Sequence, residues 1–249
     1  MAEITKRKLI AGAVGLGVAS LARSATAQNG ISVTQAPFPV RGEITSGLQA
    51  TITNIKTSDP LLALTFDDGP HPTLTPKLLD ILAERNAKAT FYLVGRAVAH
   101  SPHIVRRMVD EGHEVGNHSW SHPFLSGWSK AGLLREIDWT NQAIFDAAGV
   151  TPRTFRPPFG AIKSYQSLHL FRERNMPTVL WSVDPEDWRR PGQQYITNFI
   201  LSRSTPGSIV LTHDIHGPSV RSVPATLGGL IGRGYGFRTV SQIAQIGSE

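Results

Sequence analysis

Two adjacent acidic residues, Asp67 and Asp68, carry the clearest chemical signal in this 249-residue sequence. They follow the apolar, β-favouring run Leu61–Phe66, which predicts a buried strand, and the Gly69-Pro70 pair behind them predicts a sharp turn. Carboxylates at the end of a strand lie at the rim of a sheet, where α/β enzymes place their reactive groups. Two adjacent carboxylates repel each other unless a cation or a basic partner gives them separate roles. Taken alone, the stretch is also compatible with a solvated Asp-Gly turn.

A pair of histidines, His118 and His122, has the spacing that lets two imidazoles bind one ion. The pair follows a short strand candidate at His113–Val115. Two histidines and one carboxylate leave a fourth position open to water, which is the arrangement of a catalytic zinc site. Without the acidic pair, surface or capping roles would explain both histidines. With it, the sequence predicts a metal site of two histidines and one aspartate.

Three further strand candidates end in polar groups that suit hydrolysis. Arg156 could hold a carboxylate ionised, and the backbone N–H of Phe159 or Gly160 could meet an oxyanion. The segment Asp184–Trp188 supplies acids and an aromatic wall. His213 could be a general acid if a nearby carboxylate keeps it protonated near neutral pH. Each motif alone has an ordinary structural explanation, but five at the carboxyl ends of strands predict a catalytic face.

Alternating strand-like and helix-like stretches from residue 61 onward must position these groups. The strand candidates are Leu61–Phe66, Ala89–Val94, His113–Val115, Thr154–Arg156, Thr178–Val183, Ser208–Thr212 and Phe237–Val240. The helix candidates are one with Thr75 as N-cap, His103–Glu111, a long helix from Ser129 to Gly149, Tyr165–Arg174, Gln194–Ser202 and Ser222–Ile231. This order predicts an α/β fold with a parallel sheet and outer helices, and about seven units favour a barrel over an open sheet.

Composition restricts the class of protein. The chain is 40% hydrophobic and 18% charged, which is ordinary for a globular protein. The absence of cysteine excludes disulfides, thiolate zinc sites and cysteine nucleophiles. The net charge is +6, but half of this excess lies in the first 27 residues. Because no basic cluster remains in the body of the chain, nucleic acid is not an expected partner.

Residues 1–27 have the plan of a secretory signal peptide. The basic stretch 6–8 precedes an apolar run over 9–22, and the small residues 25–27 offer a cleavage site. The run is short and glycine-rich for a membrane span, so no stable span is expected after cleavage, although a retained anchor is an alternative. The stretch 5–10 resembles a twin-arginine signal with Lys in place of the first Arg, which leaves the export route open between Sec and Tat.

Two further regions complete the expected organisation. Residues 28–58 are polar and contain two prolines, so we expect an extended lead-in with little regular structure. Residues 59–249 have the length of one catalytic domain.

Over about Leu61 to Val240, the sequence closely resembles the polysaccharide deacetylases of carbohydrate esterase family 4, which share the nodulation-type chitooligosaccharide deacetylase domain. All five motifs of that family are present in order. They are Thr65–Pro70, His118–His122, Arg156–Phe159, Asp184–Trp188 and Leu211–His213. The resemblance implies a single catalytic domain with a distorted (β/α)7 barrel. It also implies a divalent metal, with zinc the first choice and cobalt the second.

The resemblance implies a role for each residue of the first three motifs. Asp67 would be the general base, and Arg156 would orient it. The metal ligands would be Asp68, His118 and His122. Phe159 stands where Tyr is common in the family, which changes little if only its backbone N–H meets the oxyanion.

The last two motifs would supply the acid and the acetyl pocket. Asp187 would hold and charge His213, the general acid. Trp188 and Leu211 would line the pocket for the acetyl methyl group. No role is assigned to His216, which lies just beyond the fifth motif.

These features together predict an exported, metal-dependent N-deacetylase that releases acetate from glycans containing N-acetylglucosamine, such as peptidoglycan, chitin oligomers or exopolysaccharide. We expect a monomer in the periplasm or cell envelope, or secreted, whose partner is the acetylated glycan. One alternative is hydrolysis of a small cyclic amide or an O-acetyl ester. Another is a non-catalytic glycan-binding barrel, against which the intact Asp67 and His213 argue. No sequence feature selects one glycan.

Overall fold

The computed structural model describes residues 44–246, all of which belong to the unit Gln35–Glu249. The signal peptide expected over 1–27 and the first part of the lead-in lie outside the described residues. The strands are β1 (Thr51–Ile52), β2 (Leu61–Asp67), β3 (Ala89–Leu93), β4 (Glu114–Asn117), β5 (Thr178–Val179), β6 (Ile209–His213) and β7 (Gly236–Phe237). The helices are α1 (Leu74–Glu84), α2 (Gly95–His100), α3 (Pro102–Asp110), α4 (Lys130–Ala148), α5 (Ser164–Arg174), α6 (Gln193–Arg203), α7 (Gly217–Ile231) and α8 (Val240–Ile246). Short 3₁₀ turns cover Leu125–Gly127, Pro158–Gly160 and Asp187–Arg189.

Parallel pairing closes the strands into a distorted barrel. β2 pairs with β3 on one side and with β6 on the other, and β3 pairs with β4. Single bridges of Phe155 to Asn117 and to Thr178, and of Val183 to Val210, complete the ring. Because these contacts are bridges rather than ladders, that side of the ring is irregular. The expected strand Thr154–Arg156 is therefore reduced to one bridging residue.

The core has two layers because side chains alternate along β2. Leu62, Leu64 and Phe66 point outward and pack in the large cluster beneath the helices. Ala63 points inward and packs with a smaller cluster that includes Val240 and Ile243 of α8. A strand buried on both faces reads as a nearly continuous apolar run, which is why β2 could be predicted from the sequence.

The long helix α4 begins and ends where its sequence predicts. The Ser129 hydroxyl accepts the Gly132 N–H at 3.2 Å, and Gly149 ends the helix in the left-handed region with φ 70°. Its buried stripe contains Leu133, Ile137 and Ile144.

The cap expected for α1 at Thr75 is wrong. The N-cap is Thr73 and the helix begins at Leu74, two residues earlier than expected. The imidazole Nδ1 of His71 accepts the N–H groups of Thr73 and Leu74, each at 3.2 Å. The Thr75 hydroxyl donates to Asp214 instead. Several polar residues near the start of α1 could serve as its cap. The contact of Thr75 with Asp214, which is distant in sequence, takes Thr75 out of that role.

Three helices differ from expectation at other positions. α7 begins at Gly217, five residues before the expected start at Ser222. α2 was not expected, because its six residues are too few to show a helical period. The last strand candidate ends at Phe237, and Val240 begins α8. The apolar residues of α8 pack against the barrel interior. A short buried helix of this kind has an apolar sequence that cannot be told from that of a buried strand.

The described part of the lead-in, residues 44–58, has little regular structure but is attached to the barrel. β1 pairs in parallel with β5, and the Leu180 N–H donates to the Ile52 carbonyl at 2.7 Å. Ile55 is buried beside the interior cluster. Residues before the boundary expected at 59 thus contribute to the sheet.

Candidate active site

The five motifs meet at the carboxyl ends of the barrel strands. Asp67 is the last residue of β2 and His213 is the last residue of β6, and the two are Cα partners in the parallel ladder. His118 follows β4 directly, and Arg156 follows the bridging residue Phe155. The parallel topology therefore brings residues far apart in sequence to one end of the barrel, as in other parallel barrels.

Arg156 and Asp67 form an ion pair in the barrel interior. The Nη1 atom of Arg156 donates to Asp67 Oδ1 at 2.7 Å and to the Thr65 hydroxyl at 2.6 Å. The rest of the guanidinium donates to the carbonyls of Val179 and Leu180 and lies 4.1 Å from the centre of the Tyr92 ring. Arg156 is fully buried, and a buried pair is tolerated only when its hydrogen-bonding groups are satisfied in this way.

Asp68, His118 and His122 bring one donor atom each to a common point. Asp68 Oδ1 lies 3.1 Å from His122 Nε2 and 3.3 Å from His118 Nε2, and the three donor atoms lie within 4.8 Å of one another. Burial raises the pKa of Asp68, but the two imidazoles outweigh it and hold that pKa below its usual range. The carboxylate is therefore available as an anionic ligand.

The donor set fits a divalent cation. His118 Nδ1 lies 2.7 Å from the Arg156 carbonyl, to which it donates, so its Nε2 presents a lone pair toward Asp68. Asp68 Oδ1 is buried and makes no hydrogen bond. A cation between these atoms would satisfy both imidazoles and the carboxylate. Two nitrogens and one oxygen suit zinc with an open fourth position.

Left-handed backbone geometry shapes the motif loops. Eight non-glycine residues in the described part of the chain have positive φ, and six of them lie in these loops. The six are Asp68, Ser119, His122, Phe159, Glu186 and Arg190. Such strain persists only where surrounding contacts enforce it, and it often marks functional loops. In the histidine loop, for example, the Ser119 hydroxyl accepts the His122 N–H at 3.1 Å.

His213 is bound to Asp187 by two contacts. Its Nδ1 lies 2.7 Å from Asp187 Oδ1, and its backbone N–H donates to Asp187 Oδ2 at 2.9 Å. Burial alone would lower the pKa of His213, but the hydrogen bond and charge of the fully buried Asp187 raise it to about 9. The imidazole is thus charged at neutral pH.

Comparisons with known proteins agree with this arrangement. A family model described as polysaccharide deacetylase matches residues 54–177. The chitooligosaccharide deacetylase of Sinorhizobium fredii is 42% identical over 165 residues, which cover 66% of this chain and 76% of that protein. The chain belongs to the polysaccharide deacetylase family.

Two other members of the family show how far the likeness extends. The peptidoglycan-N-acetylglucosamine deacetylase PgdA of Listeria monocytogenes is 41% identical over 192 residues, or 76% of this chain. The chain covers only 40% of the length of PgdA. The solved structure of the Bc1960 peptidoglycan N-acetylglucosamine deacetylase is 36% identical to this chain and matches it with a TM-score of 0.75. The match covers 79% of this chain and 93% of that chain. The expected family and distorted barrel fold are confirmed.

The residues expected to line the acetyl pocket of this family member lie in different environments. Leu211 is buried on β6, two residues before His213 and on the same face of the strand. Trp188 is half exposed, and the Arg189 guanidinium lies 4.7 Å from the centre of its ring. Phe159 occupies the left-handed region with φ 60°, and its side chain is 65% exposed.

Asp214 is a buried carboxyl beside His213 for which the sequence predicts no role. It accepts the Thr75 hydroxyl at Oδ2, while its Oδ1 has no hydrogen-bond partner. Burial raises the pKa of Asp214 to about 7. A Cβ added to Gly69 would lie 2.2 Å from Asp214 Oδ2, so the turn after the acidic pair packs directly on this carboxyl. In the sequence, the signal that could have indicated a role for Asp214 is its position directly after His213.

His216 lies close to the candidate acid, with its ring centre 5.8 Å from that of His213. Burial lowers the pKa of His216. The residue occupies the N-cap position of α7.

Proposed function

We propose that this chain is a metal-dependent N-deacetylase that hydrolyses the acetamide of N-acetylglucosamine-containing glycans and releases acetate. Peptidoglycan, chitin oligomers and exopolysaccharide are the candidate substrates. The relatives named for peptidoglycan and for chitooligosaccharides support the first two. The observation that carries the proposal is the pairing of Asp67 with His213 across β2 and β6.

That pairing supplies a proton acceptor and a proton donor on neighbouring strands. Each group is fixed by a buried partner, Asp67 by Arg156 and His213 by Asp187. The carboxylate and the imidazole are the two side-chain types most used in general base and general acid catalysis. A protein that only binds glycans needs neither of these supported groups, so the arrangement favours an enzyme.

Asp67 is the proposed general base. Its Oδ1 is bound by Arg156, whereas its Oδ2 lies 3.7 Å from His118 Nε2 and faces the candidate metal ligands. A divalent metal held by Asp68, His118 and His122 would polarise the acetamide carbonyl and lower the pKa of the attacking water. Asp67 Oδ2 accepts a proton from that water as the water oxygen bonds to the acetamide carbon.

His213 is the proposed general acid. With Nδ1 engaged by Asp187, Nε2 is the ring atom that can donate a proton to the leaving nitrogen. The raised pKa keeps this proton in place at neutral pH. The Phe159 N–H would donate to the oxyanion as the acetamide carbon becomes tetrahedral. Cleavage of the C–N bond then gives acetate and a free amino sugar.

Acetate release from a panel of peptidoglycan, chitin oligomers, acetylated exopolysaccharide and xylan tests the proposal. Each of Asp67→Asn and His213→Ala should lower turnover at least about 100-fold, since each removes one proton-transfer group. Both variants should retain metal. Asp138→Asn, which alters an exposed carboxylate paired with Arg174 on the outer surface, is the matched control.

The outcomes separate the alternatives. Near-wild-type turnover in either variant would overturn the assignment of base and acid. Glycan binding without acetate release would identify a glycan-binding barrel. Release from a small cyclic amide or an O-acetyl ester, with none from the glycans, would assign a different substrate class.

We also propose that the native metal is zinc. We propose further that the protein is a monomer that is exported to the periplasm or cell envelope. Zinc is supported by the two-imidazole, one-carboxylate donor set, which cobalt can share. Export is supported by the pattern of residues 1–27. Among residues 44–246, no helix is long and apolar enough to cross a membrane. Sequencing of protein recovered from the cell envelope should find an N-terminus near Gln28. An intact Met1 on cytoplasmic protein would refute export.

A further inference from the structure

Asp214 is a fully buried carboxyl that takes no part in the proposed proton transfers. It directly follows His213, the proposed general acid, in the sequence. Its Oδ2 atom accepts the hydroxyl of Thr75, which is also fully buried. A buried carboxyl is tolerated only where its contacts compensate for the loss of hydration. The contacts of Asp214 lead to the turn that follows the acidic pair.

The Thr75 hydroxyl connects Asp214 to that turn. While it donates to Asp214, the same oxygen accepts the His71 N–H at 2.7 Å. His71 lies three residues after the metal-ligand candidate Asp68. Two consecutive hydrogen bonds therefore run from the carboxyl beside the general acid to the backbone just beyond the metal-ligand candidate.

Gly69 brings the same turn into direct contact with Asp214. A Cβ atom added to Gly69 would lie 2.2 Å from Asp214 Oδ2, so the glycine backbone packs on the carboxyl. On the other side of the turn, the Gly69 carbonyl accepts the Val94 N–H at 3.1 Å. The residue that follows Asp68 is thus fixed between Asp214 and the chain that leaves β3.

The ladder between β2 and β6 cannot by itself position Asp68. That ladder ends at the pair Asp67 and His213, where both chain segments leave the sheet. Asp68 then has a left-handed backbone with φ 74°, a conformation that persists only where surrounding contacts enforce it. Strand pairing therefore accounts for the base and the acid, whereas the metal-ligand candidate needs contacts from outside the sheet.

We propose that Asp214 is a positioning residue that holds the turn of Asp68 in place relative to His213. It acts through Thr75 and Gly69, because it accepts a hydrogen bond from the first and packs on the backbone of the second. A displacement of about 1 Å in a reacting group can cost about 100-fold in rate, so a buried link of this kind matters for catalysis. The inference rests on the deacetylase function proposed above and adds to it a residue that the proton transfers do not use.

The test replaces the Thr75 hydroxyl by a methyl group of similar size. Thr75→Val leaves the His71 N–H and the Asp214 carboxyl without their shared partner, so the turn should shift. We expect about 10- to 100-fold weaker zinc binding and, at saturating zinc, a kcat lowered by a similar factor with little change in KM. Thr75→Ser keeps the hydroxyl and should restore both. Zinc titration and acetate release from a β-1,4-linked N-acetylglucosamine tetramer measure these effects.

Thr197→Val is the matched control. The Thr197 hydroxyl is also buried and also makes two hydrogen bonds, from the Thr226 hydroxyl and to the Ser222 carbonyl, each at 3.2 Å, but it lies between α6 and α7. A merely structural role of Thr75 predicts that both valine variants lose thermal stability and nothing else. The positioning role predicts that zinc affinity and kcat fall only in Thr75→Val.

The outcomes decide between these two roles. Zinc affinity and kcat of Thr75→Val that match those of Thr197→Val would overturn the positioning role and leave the deacetylase assignment intact, as would a Thr75→Ser variant that is equally impaired. If Thr75→Val does not fold, Thr75→Ala and Thr197→Ala are compared by the same measurements. Absence of acetate from the wild type would refute the proposed function, and zinc affinity would then decide the positioning role. A wild type that binds no zinc would overturn both the metal site and this inference.

Discussion

His118 and Arg156 are joined by a 2.7 Å contact between the imidazole Nδ1 and the backbone carbonyl oxygen. The side chain of the same arginine binds Asp67 at 2.7 Å. One residue therefore orients a metal-ligand candidate through its backbone and the candidate base through its side chain. Substitution of the side chain should separate these two roles.

Arg156→Lys should keep the metal but lose most of the activity. The backbone carbonyl that holds His118 remains, whereas a lysine cannot reproduce the guanidinium contacts to Asp67, Thr65 and the two carbonyls. Because a shift of about 1 Å in a reacting group can cost about 100-fold, we expect a loss of at least that order in kcat. Steady-state kinetics and metal analysis on the same samples measure both effects.

The matched control is Arg106→Lys, since Arg106 donates to the Ala147 carbonyl on the outer helices. It should remain near wild-type activity. Loss of metal from Arg156→Lys, or an unchanged kcat, would contradict the separation of roles.

Removal of the metal should abolish acetate release, and zinc or cobalt should restore it. His118→Ala or His122→Ala leaves two protein ligands, which rarely suffice for tight binding, so either variant should be purified with little metal. Element analysis and activity of chelated, reloaded and variant protein measure this. His103→Ala, which removes an exposed histidine on α3, is the control. Full activity of metal-free protein would sink the site assignment.

Much of the site could be predicted because each motif lies at the end of a strand. The apolar run before Asp67 located β2, and the parallel topology placed the other motifs at the same end of the barrel. Contacts across the barrel were not accessible in this way. The bond from His118 to the Arg156 carbonyl, for example, joins residues 38 positions apart.

Backbone strain and tertiary packing account for what the sequence did not indicate. Asp and His adopt the left-handed region more readily than most residues, but their types alone do not single out Asp68 or His122, and nothing marks Ser119. The buried Asp214 resembles an ordinary strand-end carboxylate until its contact with Thr75 is known. Irregular pairing also explains why the strand expected at Thr154–Arg156 did not form a ladder, since Phe155 joins its neighbours through bridges only.

Gly69→Ala should destabilise the protein, because the added methyl group would lie 2.2 Å from Asp214 Oδ2. Overpacking of this kind costs about 1–3 kcal/mol in the free energy of unfolding. Denaturant unfolding measures the change. Gly127→Ala is the control, since no atom lies within 4 Å of its added Cβ. Equal stability of the two variants would show that the turn relaxes away from Asp214.

Asp187→Asn should move the basic limb of the kcat/KM profile to lower pH. A general acid must be protonated, so activity that depends on His213 is present below its pKa and is lost as pH rises through it. In the wild type, burial lowers that pKa, but the Asp187 hydrogen bond and charge outweigh burial and raise it from 6.5 to about 9. Without the Asp187 charge, burial still lowers the pKa and only the smaller contributions of Asp67 and Asp68 raise it, so the limb should move to lower pH. Asp184→Asn is the control because the Asp184 carboxylate accepts the Glu186 N–H and does not bind His213. With all three proteins loaded with the same metal, the displacement between their basic limbs is the quantity to measure. A basic limb of Asp187→Asn that coincides with that of Asp184→Asn would exclude His213 as the acid.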